Sequence, residues 1–394
     1  MKKKTLFISR KFDLKGNSAP SRYFLDVIKR FDDLGYDITV VKLDFKSSKI
    51  RKSITTDLPY KLVLPGFISI SSKLVSLKYL FLFKWKYYFG FKPEIEYYNE
   101  LPSEREIKFL KGISKSEYDI VFVDYFFLAE SLELFSGIKA IITHDVWHQH
   151  YSVGKNNSYF GLLTLEEEKR LLNMADLVIA ISKRDRLIFE NLPLTDAKVI
   201  DLYPVIKPRR IINEEFITQK VESNTIIFVG SNYRPNVYGL EWFLDQVWPL
   251  LYPRENNVRL KVIGNVKKYI RPEFLDFDDH IEFLGFVEDL SIHYDEAKLA
   301  ITPLREGSGV KIKSIEAIEY GLPIISTSVG AQGLDHFAGS GIKIEDSPSS
   351  FAKSILDLFK DPSCLRYELT SLNNARDTAI ENQKDLSELK AILN

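Results

Sequence analysis

The stretch from Pro303 to Pro323, PLREGSGVKIKSIEAIEYGLP, constrains this chain more than any other. The run Leu299, Ala300, Ile301, Thr302 predicts a strand and Gly307, Ser308 and Gly309 a turn. Val310, Ile312, Ile315 and Ile318 predict a helix that stops at Gly321, with Pro323 just beyond. Strand, glycine turn and helix together make an anion-binding arrangement. The first-turn amides and the positive end of the helix dipole meet phosphate oxygens, and the bare Cα atoms of Gly307 and Gly309 let a ligand approach the backbone. Lys313 and Glu316 follow three residues apart. A lysine near the turn suits a diphosphate, and a carboxylate farther along can accept hydrogen bonds from the vicinal hydroxyls of a ribose. The plainer reading, a surface helix with an i, i+3 charge pair, stays open on these residues alone.

A chain of 394 residues can bury two sizeable cores, and 45% apolar with 27% charged residues is a globular balance. Basic and acidic residues are equal at 54 each, which argues against a nucleic-acid partner. The single cysteine, Cys364, cannot form an internal disulfide, so a cytoplasmic protein is expected. At the N-terminus the apolar run Leu6, Phe7, Ile8 is too short for a signal peptide and reads as a first strand. No apolar run reaches the ~18 residues of a membrane span.

In the first half, Thr5–Ser9 predicts a strand. A loop holding Gly16 and Asn17, a helix of about a dozen residues from Ser21 and a strand over Asp37–Leu43 follow. In an open parallel sheet such a first loop lies at the ligand-binding edge. Residues 67–92 are crowded with aromatic and aliphatic side chains, and from Asp57 to Glu94 the only charges between are six lysines. A peripheral membrane contact and a buried helix pair with exposed lysines both fit that composition. Glu117–Asp124 and Lys139–Thr143 read as buried parallel strands, the second ending at His144 and Asp145, where cleft chemistry occurs. His148 and His150 follow, but without a convincing fourth ligand no metal is expected there. Leu162–Met174 predicts a helix, Ala175–Ser182 a last strand of this half and Arg184–Asn191 a helix. Leu202–Asn224 has no clear periodicity and reads as the linker.

The second half begins as the first did, with a strand TIIFVG over 225–230, a loop SNYRPN and a helix over Val237–Leu251. Strands are also predicted over Arg259–Gly264, Ile281–Leu284 and Ile324–Thr327, and a helix over Phe351–Phe359.

The 303–323 stretch resembles the donor-binding element of the retaining nucleotide-sugar glycosyltransferases of family 4, which have the GT-B fold of two Rossmann-like doubly wound α/β domains facing across a cleft. Glu316, Ala317, Gly321 and Pro323 match its second Glu and the Gly-x-Pro ending. Arg305, Gly307, Gly309 and Lys313 match the Arg-x-Gly-x-Gly-x-x-x-Lys form of one branch. The family's first Glu is replaced by Ser308, with Glu306 two positions out of register. The resemblance implies an acceptor-binding domain over 1–203, a donor-binding domain over 204–375 and a C-terminal helix, 376–394, crossing back to the first domain. It further implies donor contacts at Gly230, Ser231, Arg234, Phe286 and Val287, with Ser231 standing where the family carries Arg. Gly16 and Asn17 would lie in an acceptor or phosphate loop, and His144 and Asp145 under the transferred sugar. The implied reaction moves a sugar from a nucleoside diphosphate sugar to a hydroxyl of a glycan or lipid-linked acceptor, without cofactor or metal, in bacterial surface polysaccharide or glycolipid assembly. Two other functions follow from the departures and the shared fold, a catalytically silent binding subunit and a nucleotide-sugar epimerase. If residues 67–92 touch lipid, the protein sits at the inner face of the membrane.

Overall fold

The computed structural model describes residues 2–10, 12–13, 18–43, 60–64, 101–149, 164–194, 197–251, 257–275 and 279–393. Gly16, Asn17, His150 and the 67–92 stretch lie outside them. The chain divides into two compact units, Met1–Tyr203 and Pro204–Asn394.

In the first unit β1 (Lys4–Ser9) leads through α1 (Ala19–Asp33) to β2 (Asp37–Lys42) and β3 (Lys61–Val63). Next come α2 (Glu104–Ile113), β4 (Ile120–Asp124), a 3-10 segment (Phe126–Leu134) and β5 (Ile138–Ile142). The unit closes with α3 (Leu165–Leu172), β6 (Leu177–Ala180), α4 (Lys183–Glu190) and β7 (Lys198–Asp201). Among the described residues these strands form one parallel sheet in the order β3-β2-β1-β4-β5-β6-β7. Continuous apolar runs such as Leu6–Ile8 and Ile120–Val123 are buried because helices cover both faces. Phe7 on β1 stacks on Phe122 of β4 at 4.7 Å, and Phe31 of α1 packs edge-on against both. Helix α1 starts two residues before the expected Ser21, because Ser18 caps it and Pro20 fits its first turn. Nor is 175–182 the last strand: β7 follows it, too short to show a period in the sequence.

The second unit runs α5 (Glu214–Glu222), β8 (Thr225–Val229) and α6 (Arg234–Trp242). Helix α6 continues through a π turn (Phe243–Val247) into one more helical turn (Trp248–Leu251). After β9 (Arg259–Ile263) and β10 (Ile281–Gly285) come α7 (Ser291–Glu296), β11 (Ala297–Thr302), α8 (Ile312–Glu319), β12 (Ile324–Ser326) and β13 (Ile342–Ile344). Three helices end the chain, α9 (Pro348–Lys360), α10 (Pro362–Asn382) and α11 (Ser387–Leu393). The sheet is again parallel, ordered β10-β9-β8-β11-β12-β13. In both sheets the strand order reverses once, between β1 and β4 and between β8 and β11. In an open sheet the ligand crevice lies at the carboxyl ends of the strands flanking that reversal.

Part of the expected linker is ordered structure. Asn213 caps α5 at the Phe216 amide, and Phe216, Ile217 and Lys220 turn inward. The Lys220 ammonium is buried on the carbonyls of Tyr294, Asp295 and Ala297 at 2.8, 2.6 and 2.8 Å, closing the carboxyl end of α7. Burial pulls it down to about 7. Upstream, the Lys207 amide donates to the buried Glu319 carboxylate at 2.7 Å, and the Ile206 amide to Gln383 at 2.9 Å. These bonds fasten 204–213 to the second unit. Residues 376–394, expected as a separate crossing helix, begin inside α10 and cluster with that unit. Among the described residues no helix is long and apolar enough to cross a membrane.

Candidate functional site

Three backbones crowd together at the carboxyl ends of β8, β9 and β10. The Gly230 amide donates to Ile263 at 2.9 Å and the Gly264 amide to Gly285 at 2.6 Å. A Cβ on Gly264, whose φ is +106°, would lie 2.0 Å from the Gly230 carbonyl oxygen. The amide of Gly230, a residue expected among the donor contacts, is thus engaged by the Ile263 carbonyl. Ser231 accepts from the Asn236 side chain at 3.2 Å through its carbonyl and 3.3 Å through its hydroxyl. Arg234, the nearest cation in that loop, pairs through Nε with Glu306 at 3.0 Å and lies over Tyr238. Phe286, just past β10, is 75% exposed, and Val287 is partly buried.

Helix α8 begins at Ile312, not at Val310. Gly307 and Gly309 take φ of +116° and +69°, and Lys311 is still extended at the helix N-cap. The Lys311 ammonium accounts for the delay, donating to the Ser308 and Gly309 carbonyls at 2.8 Å each. No side chain caps the first turn of α8: the Ser314 amide donates to the Lys311 carbonyl at 2.8 Å, and the Ile312 and Lys313 amides ahead of it are the turn's open donors. Thr302 at the end of β11 pins that turn through Ser314 Oγ at 2.9 Å. Lys313 reaches Glu316 Oε2 at 2.7 Å, and the Tyr294 hydroxyl donates to the same oxygen at 3.4 Å. Oε1 of Glu316 has no partner among the described residues. Burial, then the Glu316 charge, push the Tyr294 phenol well above its usual range, so it stays a donor. Tyr294 stacks on Tyr320 at 4.6 Å, and Arg209 and Arg210 cover that ring's surroundings at 5.4 and 5.3 Å. Arg305 lies against Trp242 and donates to the Asp346 carbonyl at 2.9 Å. The structure thus brings Gly307, Ser308, Gly309, Lys313 and Glu316 together, while Arg234 and Arg305 are engaged by Glu306 and Asp346.

The first unit carries its own cluster beside its sheet reversal. His144 follows β5, is 95% buried at its side chain and lies 2.6 Å through Nε2 from Asp124 Oδ1 at the end of β4. Ser9, at the end of β1, donates to Asp124 Oδ2 at 2.5 Å. Tyr125 stacks on His144 at 4.2 Å and 15°, and Tyr23 meets the ring edge-on at 5.3 Å. Tyr125 is the only described non-glycine residue with positive φ, at +68°, a conformation costing about 1–3 kcal/mol. Asp145 is partly buried beside His144. Just downstream, the Trp147 and His148 amides donate to the fully buried Glu168 at 3.0 and 2.8 Å, and His148 Nδ1 lies 2.8 Å from the same carboxylate. Among the described residues no three His, Cys, Asp or Glu side chains gather as a metal would require.

Sequence reasoning missed Ser9, Tyr125, Tyr294 and Lys311 as parts of these clusters, and saw Asp124 only as a strand end. Only Asp124 carried a signal, a carboxylate closing an otherwise apolar strand at the ligand edge of a parallel sheet.

Residues 223–361 match the family model described as Glycosyl transferases group 1. A protein of Klebsiella pneumoniae described as "Uncharacterized 44.6 kDa protein in cps region" is 30% identical over 149 residues. The match takes in 36% of this chain and 38% of that relative's length. Among solved structures, TarM of S. aureus superposes with a TM-score of 0.69 at 12% identity, covering 100% of this chain and 99% of that one. Anabaena HepE, solved with UDP and glucose, gives 0.66 at 13% identity, covering 99% of each chain. The pneumococcal O-GlcNAc transferase GtfA, solved with UDP and GlcNAc, gives 0.64 at 11%, covering 100% and 99%. With both parallel sheets, these full-length superpositions give the chain the GT-B fold.

Proposed function

We propose that this chain is a retaining glycosyltransferase of the family-4 type, moving a sugar from a nucleoside diphosphate sugar to a hydroxyl acceptor. One observation carries the reading. The Gly307–Gly309 turn opens onto the uncapped start of α8, with Lys313 and Glu316 within its first turns, at the sheet reversal and inside the segment similar to Glycosyl transferases group 1. In the reaction the anomeric C–O bond to the distal phosphate breaks and negative charge grows on the leaving oxygen. The first-turn amides of α8 and the Lys313 ammonium meet that charge, already oriented toward it. Glu316 Oε1 accepts from the ribose hydroxyls. The acceptor hydroxyl bonds to the anomeric carbon on the face the phosphate leaves, and its proton passes to the leaving phosphate. By this reading His144 and Asp145 act on the hydroxyls of the transferred sugar, and Phe286 and Val287 lie at the base.

Support for the substrate class comes from the UDP complexes of HepE and GtfA, and for polysaccharide assembly from the cps-region relative. A peripheral membrane contact through 67–92 belongs to the same proposal. Exchanging Lys73, Lys78, Lys84, Lys86 and Lys92 for Glu should release the protein from sedimenting anionic vesicles, and unchanged binding would remove that part. The silent-subunit reading draws on Ser308, Ser231 and the Arg234–Glu306 pair, which leave the site short of acids and cations. Incubating the protein with a panel of nucleoside diphosphate sugars separates the readings. Slow release of nucleoside diphosphate with the anomeric configuration kept, abolished in Lys313→Ala, is expected. No release from any donor favours the silent subunit, inverted product removes retention, and an epimerised sugar without acceptor means an epimerase.

A further inference from the structure

We infer that Asp124 and Ser9 are positioning residues that fix the tautomer and aim of His144, so that the ring offers Nδ1 to a sugar hydroxyl. The inference rests on the glycosyltransferase reading only for the identity of what Nδ1 meets. An ionised aspartate can only accept hydrogen bonds, so Nε2, 2.6 Å from Asp124 Oδ1, carries the proton and donates it. The second carboxylate oxygen is held by Ser9 at 2.5 Å, which prevents Asp124 from turning away. Ser9 and Asp124 end β1 and β4, the strands flanking the sheet reversal, His144 follows the neighbouring β5, and all three are buried. With Nε2 committed, a neutral ring has its lone pair on Nδ1, and Nδ1 makes no hydrogen bond among the described residues. Tyr125 and Tyr23 close on the ring from its face and its edge, packing that opposes a flip exchanging the two nitrogens. A strained backbone at Tyr125, kept next to Asp124, marks a place where geometry is held against local preference.

The arrangement separates a nitrogen that anchors from a nitrogen that acts. Asp124 touches no substrate in this scheme; it works through His144, as a carboxylate behind an imidazole orients it and selects its tautomer.

The test is imidazole ¹⁵N NMR on the full chain, with His144→Gln to assign the resonance and no ligand present. Wild-type protein should show the Nε2–H tautomer, with an unprotonated Nδ1. Asp124→Asn should lose that fixed pattern, because its amide can also donate, while Ser9→Ala should keep the tautomer but broaden the signal. An Nδ1–H tautomer in the wild type overturns the inference without need of any variant, and so does an unchanged pattern in a folded Asp124→Asn. In donor turnover, Asp124→Asn should lower kcat by about 10- to 100-fold with KM moving less than about threefold. An equal loss in Asp124→Asn and a destabilised core variant such as Phe122→Leu would mark a merely structural role. Failure of the broader reading looks different: the tautomer is fixed as stated, yet no nucleoside diphosphate sugar is turned over.

Discussion

Glu316 has one carboxylate oxygen shared by Lys313 and Tyr294 and the other without a partner among the described residues. A carboxylate so held loses little freedom when a ribose arrives, because its rotamer is already set. Tyr294→Phe removes one long hydrogen bond, so nucleoside diphosphate affinity should fall about 3- to 10-fold by calorimetry, with folding nearly unchanged. Glu306 acts in the opposite sense, since its carboxylate neutralises Arg234 beside the loop expected to meet phosphate. Glu306→Gln should therefore raise nucleoside diphosphate affinity by about 2- to 5-fold, an effect that shrinks as salt is added. A drop in affinity would instead give Glu306 part of the role of the missing acid at Ser308. Residues such as Tyr294 are hard to read from sequence for a physical reason. A tyrosine on the buried face of a short helix looks like core, and only the fold brings its hydroxyl to Glu316.

At the scale of elements, most of the strands were legible because burial on both faces makes their sequences continuously apolar, while β3, β7 and β13, only three or four residues long, were not. The helix carrying Lys313 and Glu316 was legible through its glycines and its apolar spacing. Its start was misplaced by two residues, since Lys311 capping two loop carbonyls leaves no periodic trace. Helix α5 was hidden for a similar reason: one of its three inward residues is Lys220, which reads as surface. Lys220→Met should cost about 2–4 kcal/mol in denaturant unfolding, because three buried carbonyls lose their donor. A cost under about 0.5 kcal/mol would mean those carbonyls find other partners. In the first unit α2 is tied to the end of β1 by Arg10, which reaches Glu106 with Nε at 2.7 Å and Nη2 at 3.0 Å. Burial pushes the Glu106 carboxyl up, but Arg10 and Ser103 together outweigh it and hold it below the usual range. Its folded value being the lower one, the stabilisation is present above the ordinary carboxylate range and is lost as pH falls through that depressed value. Glu106→Gln should thus cost about 1–3 kcal/mol at pH 7, a gap that narrows in melts recorded at pH values falling below the ordinary carboxylate range.

At the scale of the whole molecule, the described residues of the first unit pack an apolar cluster around Val121 and Val123 on one face of their sheet and the Phe7, Phe31 and Phe122 rings on the other, and those of the second pack one around Phe243 and Trp248, the chain dividing between Tyr203 and Pro204. The repeat of the β-α-β opening made that division legible, whereas the attachment of 204–213 to the second unit depends on Glu319 and Gln383, distant in sequence. Calorimetry should resolve two transitions, or a calorimetric enthalpy above the van't Hoff value, and a nucleotide should move the transition of the unit that binds it. The central claim is that α8 holds a nucleoside diphosphate, and thermal unfolding of the full chain against a panel of nucleoside diphosphates tests it most directly. At ligand near 100 times Kd, one base should raise the midpoint by about 5–10 °C, and Glu316→Ala should abolish the rise while its own ligand-free midpoint stays close to wild type. No rise with any nucleotide, or a rise that survives in Glu316→Ala, would contradict the account.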